Sequence, residues 1–186
     1  MNLKKENIWN VPNVLTMLRM ALIPVYWIIF MQGHLYWALA IFVIASLTDL
    51  ADGYIARKYQ LITDFGKLMD PLADKLMVIS VMLSLALKKI VPWSPLIILF
   101  AKELLMVVGG MLMLDKGMVV PAKHIGKIAQ TCVVSSLILS FFYDFFLRIQ
   151  FPLHLIFIWL GVALTLGAFA FYLQNALKLM KGVPKK

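Results

Sequence analysis

The chain has 186 residues, 62% of them hydrophobic, and a net charge of +9, with a mean hydropathy of +0.89. Soluble domains are about 45–50% apolar, and a water-soluble core of this size cannot hide the excess, so composition puts the chain in a membrane. The basic residues lie between apolar runs, which suits anionic lipid headgroups; no DNA- or RNA-binding motif accompanies them, and Cys132, alone in an apolar run, excludes a disulfide framework or a cysteine metal site.

A spanning helix needs about 20 apolar residues. Six such stretches are predicted, near 14–32, 36–57, 68–87, 95–114, 126–147 and 153–177. Residues 6–13 read as a short interfacial segment with Trp9 as a headgroup-level anchor. Lys4 and Lys5 before the first span mimic a signal peptide, but the apolar run is too long and no small-residue cleavage site follows. The breaks carry turn or charge signals: Gln32-Gly33-His34, Arg57 to Gln60, Lys88-Lys89 with Pro92 and Pro95, Asp115-Lys116-Gly117 with Pro121, and Gln150 with Pro152. No repeat or linker divides the chain. The expected fold is an all-α integral membrane bundle of six transmembrane helices, with residues 1–186 as one domain.

Six spans put both termini on one side. That side holds Lys or Arg at 4, 5, 19, 57, 58, 67, 116, 123, 127, 178, 181, 185 and 186, against 88, 89 and 148 on the other. Basic residues favour the cytoplasmic face, so both termini are expected in the cytoplasm of a multi-pass cell-membrane protein.

Of nine acidic residues, four fall inside apolar helices: Asp49, Asp52, Asp70 and Asp74. Each costs about 2.5–3.5 kcal/mol in a spanning helix on insertion scales. Arg57, Lys67 and Lys75 are too few and too peripheral to neutralise them. Hard divalent cations prefer carboxylate oxygens. The spacing agrees, because residues at i, i+3 or i, i+4 share a helix face: Asp49 with Asp52 on the second span, Asp70 with Asp74 on the third. A short connection makes these spans neighbours, so the pairs can face each other. At 1.5 Å per residue, Asp49 lies roughly 12 Å inward from Arg57 and Asp74 roughly 10 Å inward from Lys67, the depth of a lipid phosphate. Gly53 and Ala56 leave room on the Asp49–Asp52 face. A proton or cation path, as in a transporter, is the alternative use of such carboxylates; a structural ion-pair cluster is another.

The pattern Asp49-x-x-Asp52-Gly53-x-x-Ala56-Arg57, then Gly66-x-x-x-Asp70-x-x-x-Asp74, resembles the signature of the CDP-alcohol phosphotransferase family, with every motif position filled. Six spans with cytoplasmic termini are also that family's architecture. The resemblance implies two divalent metals, Mg²⁺ or Mn²⁺, held by Asp49, Asp52, Asp70 and Asp74. Asp74 would also be the general base for the acceptor hydroxyl. Gly53, Ala56, Arg57 and Gly66 would line the CDP-donor site. CMP would leave, and homodimers are common to the family's members.

Within the family, Pro12-Asn13-Val-Leu-Thr16-Met-Leu-Arg19 and Gly126-Lys127 resemble the bacterial branch that joins CDP-diacylglycerol to sn-glycerol 3-phosphate. Glu6-Asn7-Ile8-Trp9 resembles the branch that uses phosphatidylglycerol as acceptor and makes cardiolipin. A glycerol 3-phosphate acceptor needs cations for its phosphate, and Lys102, Lys123 and Lys127 are the acceptor-binding candidates, with His124 beside them. Lys102-Glu103 stands where the family usually has Arg-Glu. Neighbours on a helix point about 100° apart, so Glu103 is not expected to pair with Lys102, which leaves that lysine for an external anion. Arg19 reads either as a snorkelling anchor or as a phosphate contact. His34 and His154 read as interfacial.

Overall fold

The structure is a computed structural model that describes residues 10–59, 63–114 and 124–182. Seven helices fill them: α1 (Val11–Met31), α2 (Leu35–Lys58), α3 (Asp64–Leu87), α4 (Trp93–Leu114), α5 (His124–Ser140), α6 (Tyr143–Arg148) and α7 (Leu153–Gly182). There is no strand among the described residues. The chain is an all-α membrane-type protein. Three helices among those residues, α1, α2 and α7, are long and apolar enough by composition alone to cross a membrane; α3 carries Asp70 and Asp74 with Lys75 in its interior.

The chain contacts divide into two compact units, up to Leu85 and from Ala86 onward. In the first, α1 packs along α2. Asn10 caps α1: its side chain accepts from the Asn13 N–H at 2.9 Å, which satisfies one of the free donors at the helix start. Val11, Pro12 and Asn13, expected in an interfacial segment, are thus the first turn of α1, with proline where its missing N–H costs nothing. Trp9 and the residues before it lie outside the described residues. The turn into α2 is tight because Gly33 adopts φ +85°. The Gly33 N–H bonds to Phe30 O at 3.0 Å and the His34 N–H to Ile29 O at 3.2 Å, a glycine-closed helix end. Tyr26 on α1 and Ser84 on α3 hydrogen-bond through their hydroxyls, and both are fully buried.

In the second unit α7 packs against α5 and α4. Gly161 sits where α5 crosses: a Cβ there would come within 2.8 Å of Val133 Cγ2 and 3.2 Å of the Val133 N. Small residues that let backbones approach are the usual contact between membrane helices, where lipid is as apolar as leucine. The fifth span is shorter than expected. It ends at Ser140, where the Phe141 and Phe142 N–H groups bond back to Ile138 O and Leu139 O, and residues 143–148 form the separate short α6. His154, expected at an interface, is 6% exposed and lies beside the Phe146 ring at 5.5 Å between centroids.

Outward faces carry Leu18, Ile28, Trp37, Ile44, Leu47, Leu104, Leu105, Trp159 and Leu160. A monomer in water rarely exposes such area; against lipid it costs nothing.

Candidate functional site

All four aspartates fall in the first unit, on α2 and α3. The side chains that organise them come from α1. Asn13, Thr16 and Arg19 follow at three-residue steps along one face of that helix, and each is at most 1% exposed. A polar row of this kind inside an apolar helix is stable only if each member finds a partner.

Each does. The Asn13 Oδ1 accepts from the Thr63 hydroxyl at 3.0 Å. Thr63 in turn accepts from the Gly66 N–H at 3.0 Å, which caps α3 in the usual manner of a threonine one residue before a helix. Gly66 has no room for a side chain: a Cβ would stand 2.8 Å from Asn13 Oδ1, 3.2 Å from Thr63 Oγ1 and 3.6 Å from Asp70 Oδ2. The start of α3 is therefore seated on α1 through a glycine. The Thr16 Oγ1 lies between the Pro12 carbonyl, at 3.1 Å, and Asp70 Oδ1, with which it hydrogen-bonds.

Arg19 is the centre of the arrangement. Its Nη2 donates to Asp52 Oδ2, and its Nη1 stands 3.3 Å from Asp49 Oδ1. Arg19 is 1% exposed and Asp52 2%. Asp49 and Asp74 share a side-chain hydrogen bond. Asp70 acts electrostatically on both Asp49 and Asp52, and Asp52 on Asp74. The four carboxyl groups expected to face one another across α2 and α3 are thus brought together.

Two expectations need correction. The sequence offered Arg57, Lys67 and Lys75 as the only nearby cations, yet Arg19 is the buried counter-ion and is neither a snorkelling anchor nor exposed. A guanidinium on a third helix can reach what the sequence neighbours cannot. Likewise Glu103 does pair with Lys102, Nζ to Oε1. The helix separates their Cβ atoms by about 100°, but the long flexible stems close that gap in an environment where both charges need a partner.

Gly53 and Ala56 are half-buried on α2. The Arg57 backbone is in α2, and its side chain lies outside the described residues, as do Lys123 and the side chain of His124. Lys127 is exposed in the first turns of α5, with its carbonyl accepting from Thr131 Oγ1 at 3.0 Å. Sequence reasoning missed Asn13, Thr16 and Thr63 as organisers of the site. For Asn13 and Thr16 the signal was their three-residue spacing with Arg19 at the start of the first apolar run; Thr63 carried none.

By donor chemistry the aspartates fit a hard divalent cation: the donors are carboxylate oxygens, carried on α2 and α3. Two carboxyl groups in hydrogen-bond contact, such as Asp49 and Asp74, require a proton or a cation between them. Among the described residues no three metal-binding groups already converge on one point. The oxygens are turned in pairs, towards Arg19, towards Thr16 and towards each other.

A family model described as CDP-alcohol phosphatidyltransferase matches residues 9–167. A Bacillus subtilis protein named CDP-diacylglycerol–glycerol-3-phosphate 3-phosphatidyltransferase is 35% identical over 176 residues, covering 84% of this chain and 90% of that relative. A Rickettsia bellii protein of the same name is 46% identical over 104 residues, 52% of this chain and 55% of its own, so that match takes in about half of the relative. A Mycobacterium bovis protein, provisionally named cardiolipin synthase, is 33% identical over 129 residues, 68% of this chain and 62% of its own.

Proposed function

The chain belongs to the CDP-alcohol phosphatidyltransferase family, and from that premise we propose that it transfers a phosphatidyl group from CDP-diacylglycerol to sn-glycerol 3-phosphate. The products are phosphatidylglycerophosphate and CMP, a step of phospholipid biosynthesis. The observation that carries this reading is the gathering of Asp49, Asp52, Asp70 and Asp74 around one buried arginine inside apolar helices. That concentration of carboxylates has no use in packing and a direct use in holding cations against a pyrophosphate.

Asp49, Asp52, Asp70 and Asp74 would hold two divalent ions, Mg²⁺ or Mn²⁺. Such ions, when bound, offset the charge on the attacking and leaving oxygens. The protein's own residues do the rest. Asp74 accepts the proton of the acceptor hydroxyl. That oxygen bonds to the phosphorus carrying the diacylglycerol, the bond from this phosphorus to the CMP oxygen breaks, and CMP leaves with the electron pair. Gly53 and Ala56 keep bulk out of the donor's approach, Gly66 lines the donor site while seating α3 on α1, and Arg57 meets the donor's phosphates. Lys123 and Lys127 supply cations for the acceptor phosphate. Lys102 joins them only by giving up Glu103.

The same reading takes residues 1–186 as a single catalytic domain, supported by a family model that runs across both compact units. It places the protein in the cell membrane with termini and site facing the cytoplasm, supported by the distribution of Lys and Arg, and as a homodimer by family resemblance.

The test is reconstitution of the purified chain in vesicles with CDP-diacylglycerol and either glycerol 3-phosphate or phosphatidylglycerol. CMP and phosphatidylglycerophosphate should appear with the first acceptor, and exhaustive chelation should abolish both. Formation of cardiolipin from phosphatidylglycerol alone would move the chain to the branch of the Mycobacterium bovis relative. Ion flux without CMP release would overturn the enzyme reading.

A further inference from the structure

Arg19 has a property that a permanent structural ion pair does not explain. It is 1% exposed, yet its Nε and Nη1 make no hydrogen bond among the described residues, even with Asp49 Oδ1 3.3 Å from Nη1. A buried donor left without an acceptor costs about 1–3 kcal/mol, more when charged. A guanidinium selected only for ion pairing would present its planar fork to one carboxylate in a two-bond contact. Here it straddles two carboxylates on α2, and its best contact is with a single oxygen of Asp52.

Asp49 and Asp52, for their part, are turned towards this arginine, while Asp70 is turned towards Thr16, and among the described residues no three metal-binding groups converge. Two cations cannot share these oxygens cheaply. A divalent ion held by Asp49 and Asp52 would draw on the oxygens that Arg19 already contacts, and like charges competing for one carboxylate pair in a poorly solvated site repel strongly.

We propose that Arg19 and the divalent metal are alternative occupants of the Asp49–Asp52 carboxylates. In the metal-free protein Arg19 is the resident cation that lets two carboxylates exist inside an apolar helix pair. Where those oxygens would hold metal, Arg19 would give them up, and its freed donors would face the phosphate-bearing substrate. Arg19 is thus a positioning residue that sets how tightly metal binds, and the metal-free state remains folded because of it. The inference rests on the metal reading given above, and it makes a claim of opposite sign to the plain alternative. An arginine that merely orients the ligands should strengthen metal binding; a competing arginine should weaken it.

Mn²⁺ titration of the full chain in nanodiscs, with the free ion followed by electron paramagnetic resonance, separates these cases without reference to turnover. Arg19→Met keeps length and removes charge. It should bind Mn²⁺ tighter than the parent by roughly ten- to a hundred-fold, the equivalent of one charge-assisted contact. Thermal unfolding gives the second reading. Under chelator Arg19→Met should melt below the parent, and added Mn²⁺ should raise its midpoint by more than it raises the parent's. Should Arg19→Met not fold, Arg19→Lys retains a charge but not the two-armed bridge, and should bind Mn²⁺ with an affinity above the parent's. Equal or weaker Mn²⁺ binding in either variant overturns the exchange while leaving the metal site standing. Absence of Mn²⁺ binding in the parent and both variants overturns the metal reading itself.

Discussion

At the scale of residues, the aspartate site shows what a carboxylate inside a membrane demands. Asp52 finds Arg19, Asp70 finds Thr16, and Asp49 and Asp74 find each other. In none of these three pairings do the partners lie next to each other in sequence. The carboxylates themselves were legible, because a charge in an apolar run is conspicuous and the i, i+3 and i, i+4 spacings fix a shared face. Their partners were not, because a hydroxyl or a single arginine in another apolar run reads equally well as a helix-end anchor. The i, i+1 pair Lys102–Glu103 misled in the opposite sense, since Cβ directions describe short side chains better than long ones. The role of Asp74 is open to direct measurement. Asp74→Asn keeps size and polarity but removes the oxygen that takes a proton. Turnover should fall at least about 10²-fold, the lower end of general-base contributions, with donor binding retained in part. A variant that turns over at near the parent rate would exclude Asp74 as the base.

At the scale of elements, apolar run length located the long helices well and their ends less well. Residues 126–147 read as one span because Phe141, Phe142, Phe145 and Phe146 continue the apolar pattern with no glycine or proline among them. The helix nevertheless stops at Ser140, and α6 ends at Arg148 with Gln150, two residues on, at φ +52°. There the Phe151 N–H bonds back to Phe146 O at 3.2 Å, a helix end usually closed by glycine. Nothing in the hydropathy of the run foretold a break made by backbone geometry. Helix crossings are equally silent in sequence, because a glycine needed for close approach looks like any other. Gly161 and Gly167 on α7 separate the two cases. A Cβ at Gly161 meets Val133 side chain and backbone, whereas one at Gly167 meets nothing within 4 Å. Gly161→Ala should therefore lower the thermal midpoint in detergent, by an overpacking cost of about 1–3 kcal/mol. Gly167→Ala should leave it unchanged or raise it, by up to about 1 kcal/mol of helix propensity. Equal effects from the two substitutions would mean that the α5–α7 crossing is not limited by Gly161.

At the scale of the whole molecule, the class and the reaction were visible in composition and in one motif, while the acceptor was not, because acceptor choice rests on a few cations whose placement depends on chain folding. The first unit contains the complete set of aspartates together with their partners. Lys102, Lys123 and Lys127, the acceptor candidates, all belong to the part of the chain after Leu85. Of these, Lys102 already has an anion in Glu103, so a substrate phosphate gains from it only what exceeds that pair. Lys127 is exposed in the first turns of α5. Among the described residues its ammonium has no ion pair that a dianion would first have to break. Lys127→Ala should therefore raise the KM for glycerol 3-phosphate by roughly ten-fold or more, from loss of a charge-assisted contact of about 1.5–3 kcal/mol. The KM for CDP-diacylglycerol should change far less. Lys102→Ala should have the smaller effect on the acceptor and should also remove the half-buried Lys102–Glu103 ion pair, so it should lower thermal stability where Lys127→Ala does not. Steady-state kinetics on both substrates, with a melting curve for each variant, decide the matter. If Lys102→Ala raises the acceptor KM selectively and Lys127→Ala does not, the acceptor phosphate is held on α4, and Glu103 is a partner that Lys102 relinquishes on binding.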